Sequence, residues 1–101
     1  MTRRAYHRPG LLPLPTPERR AIVQHLSMVS SALDADAADR SAGGWDGAVS
    51  LELRKASGSL RLVAAMVVIG AMSTRRARFW AEAASDYLDL VKRADRAGII
   101  R

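Results

Sequence analysis

Residues 45–72 read WDGAVSLELRKASGSLRLVAAMVVIGAM, and whether they coil or fold back on themselves decides the fold. Read with a period of two, Val49, Leu51 and Leu53 alternate with Ser50, Glu52 and Arg54. Ser57-Gly58-Ser59 then turns the chain so that Leu60 and Leu62 pair back, as a β-hairpin over 47–63. Read with the helical period, Trp45, Val49, Leu53, Ala56, Leu60, Val63 and Val67 form one unbroken stripe. Gly58 inside that helix costs about 1 kcal/mol relative to alanine, which a buried stripe outweighs. No other part of the chain has strand patterning, and a lone hairpin is marginal in water. The helix, broken or kinked near Gly58, is favoured. It makes the chain all-α, with an α+β fold built on the hairpin as the alternative.

The second half of the stretch is apolar on nearly every side. Arg61 is the only charge between residues 60 and 72, and Val63, Ala64, Ala65, Met66, Val67, Val68 and Ile69 follow without interruption. Two neighbouring helices cover only part of a helix circumference, so this one predicts further company. An exposed apolar patch usually marks an interface. A homo-oligomer is expected, most often two-fold, burying Leu62, Val63, Met66, Val67 and Ile69. The run is about half the length a bilayer span needs, and Arg61 interrupts it, so a membrane role is not expected.

Upstream, Thr16 suits an N-cap, Pro17 the first helical position and Glu18 the positive end of the dipole. Ile22, Leu26, Val29, Leu33 and Ala37 recur at steps of four and three, widened by Val23 and Ala32, so one amphipathic helix is expected from 16 to about 40. It stops before Ser41-Ala42-Gly43-Gly44. His25 borders the stripe as a partly buried, hydrogen-bonded residue, with only His7 as a second histidine and no cysteine for metal binding. Asp34, Asp36 and Asp39 crowd the end of this helix. Without the turn glycine and terminal glutamate of a calcium loop, they read as an acidic solvated end or an acidic contact surface.

Downstream, Ser73 or Thr74 caps a helix over 74–97, with Gly98 as its stop. Phe79, Trp80, Ala83, Ala84, Tyr87, Leu88, Val91 and Ala94 supply its apolar face, and Asp89 and Arg93 are spaced for an ion pair one turn apart. Lys92, Arg93 and Arg96 sit where the dipole favours cations; Arg75, Arg76 and Arg78 sit where it does not. Helix stability would not select those three.

Residues 1–15, MTRRAYHRPGLLPLP, form an extended basic arm carrying Arg3, Arg4 and Arg8 and stiffened by Pro9, Pro13 and Pro15. Residues 16–101 are then a single helical domain, an antiparallel three-helix bundle (about 16–40, 46–72 and 74–97) self-associating through its second helix. In that topology Arg19 and Arg20 share one pole with Arg75, Arg76, Arg78 and the arm. Asp34, Asp36, Asp39 and Asp46 share the other pole with Lys92, Arg93 and Arg96.

Sixteen lysines and arginines against ten acids give a net charge of +6, which attracts polyanions or an acidic protein. Cysteine is absent, excluding disulfides and thiolate metal sites, and no apolar run of signal-peptide length follows the first arginines. A cytoplasmic protein is expected. There is no glycine-rich phosphate loop, nucleophile elbow or pair of histidines at ligand spacing, so neither an enzyme nor a cofactor is expected. The expected function is that of a non-catalytic interaction module, an adaptor, inhibitor or structural subunit, presenting its basic pole to an acidic partner. The alternative is a sequence-independent nucleic-acid-binding protein using the arm and the same pole on phosphates.

Overall fold

The structure, a computed structural model, describes residues 16–44 and 47–99. Three helices account for nearly all of them: α1 (Pro17–Ala42), α2 (Gly47–Val68) and α3 (Thr74–Arg96). The hairpin alternative is excluded, because helix runs through Ser57, Gly58 and Ser59 without a break. The basic arm, with Arg3, Arg4 and Arg8, and the loop residues Trp45 and Asp46 lie outside the described residues.

Local chemistry sets the helix ends. The Thr16 hydroxyl accepts the Arg19 backbone N–H at 3.0 Å, and the Ser73 hydroxyl accepts that of Arg76 at 3.1 Å, each satisfying a donor with no partner inside its helix. The second helix ends at Val68, earlier than the apolar run to residue 72 implies. Gly70 has φ +79°, and around it the Gly70 N–H donates to the Val67 carbonyl at 3.1 Å and the Ala71 N–H to the Met66 carbonyl at 2.7 Å. This reversed closing turn requires left-handed backbone, which glycine supplies without a Cβ penalty. Hydrophobicity continues past Gly70, but the helix does not. The same geometry at Gly98 (φ +75°) closes α3, where the sequence places the stop.

The helices pack as an up-down-up bundle with α1 and α2 as the most intimate pair. Each buries a stripe at steps of three and four: Ile22, Leu26, Val29, Leu33 and Ala37 from α1, and Leu53, Ser57, Leu60, Val63 and Val67 from α2. Between the leucines runs a seam of small polar residues. The Ser30 and Ser57 hydroxyl oxygens are 2.8 Å apart, and the Ser30 hydroxyl also donates to the Ser57 carbonyl at 3.3 Å. One end of the seam is closed by the Ser50 hydroxyl, which donates to the Ala37 carbonyl at 3.2 Å. At the margins of the seam Arg54 donates to the Ser41 hydroxyl at 3.2 Å, and Arg61 reaches across to Asp34. The lone charge of the apolar stretch therefore lies at the edge of the α1–α2 contact, with its head group exposed.

The third helix returns alongside α1 and packs through smaller side chains. Its fully buried residues are Ala77, Ala81, Leu88 and Val91. At the far end Arg40, only 4% exposed, lies 3.2 Å from Asp36 on its own helix and 3.6 Å from Asp95 on α3. The expected Asp89–Arg93 pair does not form among the described residues; Asp36–Arg40 is the i,i+4 pair that does.

The buried serine pair gives a direct check on the seam. Ser30→Ala and Ser57→Ala should each cost about 1 kcal/mol in urea unfolding, and the double variant should cost less than their sum by about 0.5 kcal/mol or more. Strict additivity would mean that the two hydroxyls do not depend on each other.

Candidate functional site

Two surfaces carry what the fold leaves unused. One is the pole where α1 and α3 begin. An open cleft of about 230 Å³ lined by Ala21, Ile22, His25, Arg78 and Glu82 places the first turns of these helices side by side. Arg19 and Arg20 therefore belong to the same end as Arg75, Arg76 and Arg78, as antiparallel topology requires. Among the described residues Arg75, Arg76 and Arg78 have no ion pair or side-chain hydrogen bond, although Glu82 lies one turn from Arg78 on the same cleft. His25 is exposed at the rim of this cleft rather than half-buried and hydrogen-bonded, because the α1 core stripe passes through Ile22 and Leu26 on either side of it.

Beside these arginines lie the largest exposed rings among the described residues. Phe79 is 70% exposed and Trp80 41%, and Ala83 is exposed too. The apolar face expected for α3 is thus corrected at its start. The helix turns Ala77, Ala81 and Ala84 inward, Phe79 outward and Trp80 to the flank of the buried stripe, while Tyr87 packs against the core as expected. The inward set keeps a 4-3-4-3 spacing through Leu88 and Val91, the same rhythm as Ile22, Leu26, Val29 and Leu33. Size misled the sequence reading, since alanine lets α3 approach its neighbours where phenylalanine would hold it off. The regular spacing was the signal that could have found it.

The other surface is the outside of α2. Of the residues expected to bury against another copy, Val63 and Val67 are already buried in the core of this chain and Met66 is partly so. Leu62 and Ile69 face outward, 63% and 55% exposed. With Leu51 (52% exposed), Gly58 and Ala65 they make a second apolar stripe opposite the first, interrupted by Lys55. A Cβ at Gly58 would meet nothing within 4 Å, so the packing of this chain does not require a glycine there.

The acidic end of α1 is largely engaged in ion pairs. Asp34 holds Arg61 and Asp36 holds Arg40, while Asp39 is exposed. The Arg40 guanidinium is left with one buried nitrogen, Nη1, that has no hydrogen-bond partner. Among the described residues no helix is long and apolar enough to cross a membrane. The chain shows no match to a known protein family, to a curated protein or to a solved structure.

An under-satisfied buried cation makes an asymmetric prediction at the pole where α1 and α3 end. Arg40→Met should leave stability within about 1 kcal/mol of the parent or raise it, because it removes a desolvated charge that is only partly compensated. Asp36→Ala combined with Asp95→Ala should cost about 3 kcal/mol, because it strands that charge. Urea denaturation of the two variants distinguishes these signs.

Proposed function

We propose that the chain is a non-catalytic cytoplasmic interaction module that pairs with a second copy of itself through the outer face of α2 and offers its basic pole to an acidic partner. The observation that carries this reading is the second stripe on α2. A helix with one face in its own core has no folding reason to carry Leu51 and Leu62 on the opposite face, continued by Ile69 just past its last turn, where each stays more than half exposed.

The stripe has the spacing of a two-helix seam, with steps of four and three from Leu51 through Lys55, Gly58, Leu62 and Ala65 to Ile69. Gly58 and Ala65 let a second backbone approach closely, and the two leucines and Ile69 supply side chains to bury. Two-fold pairing covers the stripe on both copies at once, leaving no open surface to propagate. Each fully buried leucine or isoleucine contributes about 1.5 to 3 kcal/mol, so the set is large enough to matter against the entropy of association. The arginines at the pole where α1 and α3 begin lie on other helices and stay accessible in such a pair.

The mass in solution tests this reading. Sedimentation of the parent should give a dimer whose mass does not fall in high salt, since the contact is apolar. Leu62→Glu combined with Ile69→Glu should sediment as a monomer with unchanged helical circular dichroism, both positions being exposed within the protomer. A parent that sediments as a monomer at micromolar concentration would overturn the pairing.

A further inference from the structure

The pole where α1 and α3 begin combines two kinds of side chain that the fold uses little. Arg75, Arg76, Phe79 and Trp80 occupy roughly 140° of the α3 circumference at 100° per residue, mostly on the side away from the Ala77–Ala81 stripe. The two largest apolar side chains of the helix are thus held in or near solvent while alanines fill its core. The arginines between and beside them have no carboxylate partner among the described residues. Phe79 and these arginines add little to the stability of the bundle, Trp80 keeps 41% of its surface exposed, and all of them lie within two turns of one helix.

From this juxtaposition we propose that the first two turns of α3 bind single-stranded nucleic acid, with Phe79 and Trp80 stacking on bases and Arg75 and Arg76 contacting phosphates. The proposal rests on the reading of the basic pole as partner-facing and names the partner. Rings and guanidinium groups side by side match a ligand that alternates flat apolar faces with negative charge. A single strand has that composition, because its bases are unstacked and every base offers a π-face. A duplex supplies the charge but keeps its base faces covered. An acidic peptide supplies charge without a regular series of flat faces. Arg78, on the cleft beside His25 and Glu82, carries the positive surface toward α1, where Arg19 and Arg20 begin the neighbouring helix. Recognition of this kind reads the strand's chemistry and is indifferent to base sequence.

The test uses the full chain and a fluorescein-labelled thymidine oligonucleotide, followed by anisotropy over a range of potassium chloride concentrations. Binding should weaken steeply with salt, and Arg75→Ala with Arg76→Ala should reduce the salt slope by about 1.4. Phe79→Ala should weaken binding by about 5- to 150-fold at constant salt, with the slope kept, and Phe79→Tyr should retain it. Phe79 is exposed, so circular dichroism of Phe79→Ala should match the parent. In a Trp45→Phe background the remaining tryptophan, Trp80, should lose emission on binding. The same strand annealed to its complement should bind without dependence on Phe79.

Three results would overturn the proposal: no binding at low salt, binding indifferent to Phe79, or polyglutamate binding with the same Phe79 dependence. The last would make the occupant an acidic protein. Sedimentation of the same samples separates this proposal from the α2 pairing. A monomer that still binds the strand overturns only the pairing, and an intact dimer that does not bind overturns only the inference drawn here.

Discussion

The closeness of α1 to α2 is the constraint from which the rest of the molecule follows, and small side chains set it. With Ser30, Ala37, Ser50 and Ser57 on the facing stripes, the two backbones can approach until hydroxyls reach carbonyls across the gap. Larger residues at these positions would push the helices apart and leave Leu26, Leu33, Leu53 and Leu60 with incomplete contacts. The hydroxyls contribute about 1 kcal/mol each, less than the leucines around them. What they add is register. A slide of one turn between α1 and α2 would set serine hydroxyls against leucine and leave them unsatisfied, so the penalty falls on the wrong alignments.

That alignment accounts for the surface as well as the core. Once α2 commits Leu53, Leu60, Val63 and Val67 inward, helical geometry turns Leu51, Leu62 and Ile69 to the opposite side. Arg61, opposite Asp34 at the edge of the contact, closes the flank next to α1. On α3, alanines inward leave Phe79 facing out and Trp80 at the flank of the buried stripe, and the antiparallel path brings the start of that helix beside the start of α1. Both candidate surfaces are therefore consequences of a core built on regular spacing with unequal side-chain sizes.

The architecture was legible in the sequence because helical periodicity, the Thr16 and Ser73 caps and the Gly98 stop are local signals, and local signals survive folding. The pole shared by Arg19, Arg20, Arg75, Arg76 and Arg78 was legible too, since it follows from helix count and connection length alone. Facing was less legible. Hydrophobicity says that Val63, Val67, Leu62 and Ile69 all avoid water, but only the packed bundle tells which pair the chain covers itself. Size made the same ambiguity worse on α3, where Phe79 and Trp80 outweighed Ala77 and Ala81 in any estimate of apolar content. The C-terminus of α2 was missed for a related reason: a hydrophobic run can continue through a turn, and only the backbone at Gly70 marks the reversal. The buried position of Arg40 had no local signal, because its depth depends on Asp95 arriving from the other end of the domain.

The thin attachment of α3 has a kinetic consequence. The α1–α2 hairpin joins residues near in sequence across a short connection and holds the greater part of the buried leucine, so it forms a unit that can organise first. α3 adds to it through three alanines, Leu88, Val91 and the Arg40 clasp, and so has less to lose by leaving. Hydrogen exchange within the folded protein should therefore be graded, with the amides of α3 opening more often than those of α1 and α2. The element bearing the arginines and exposed rings is then the one freest to adjust its angle, while the frame beneath it stays closed.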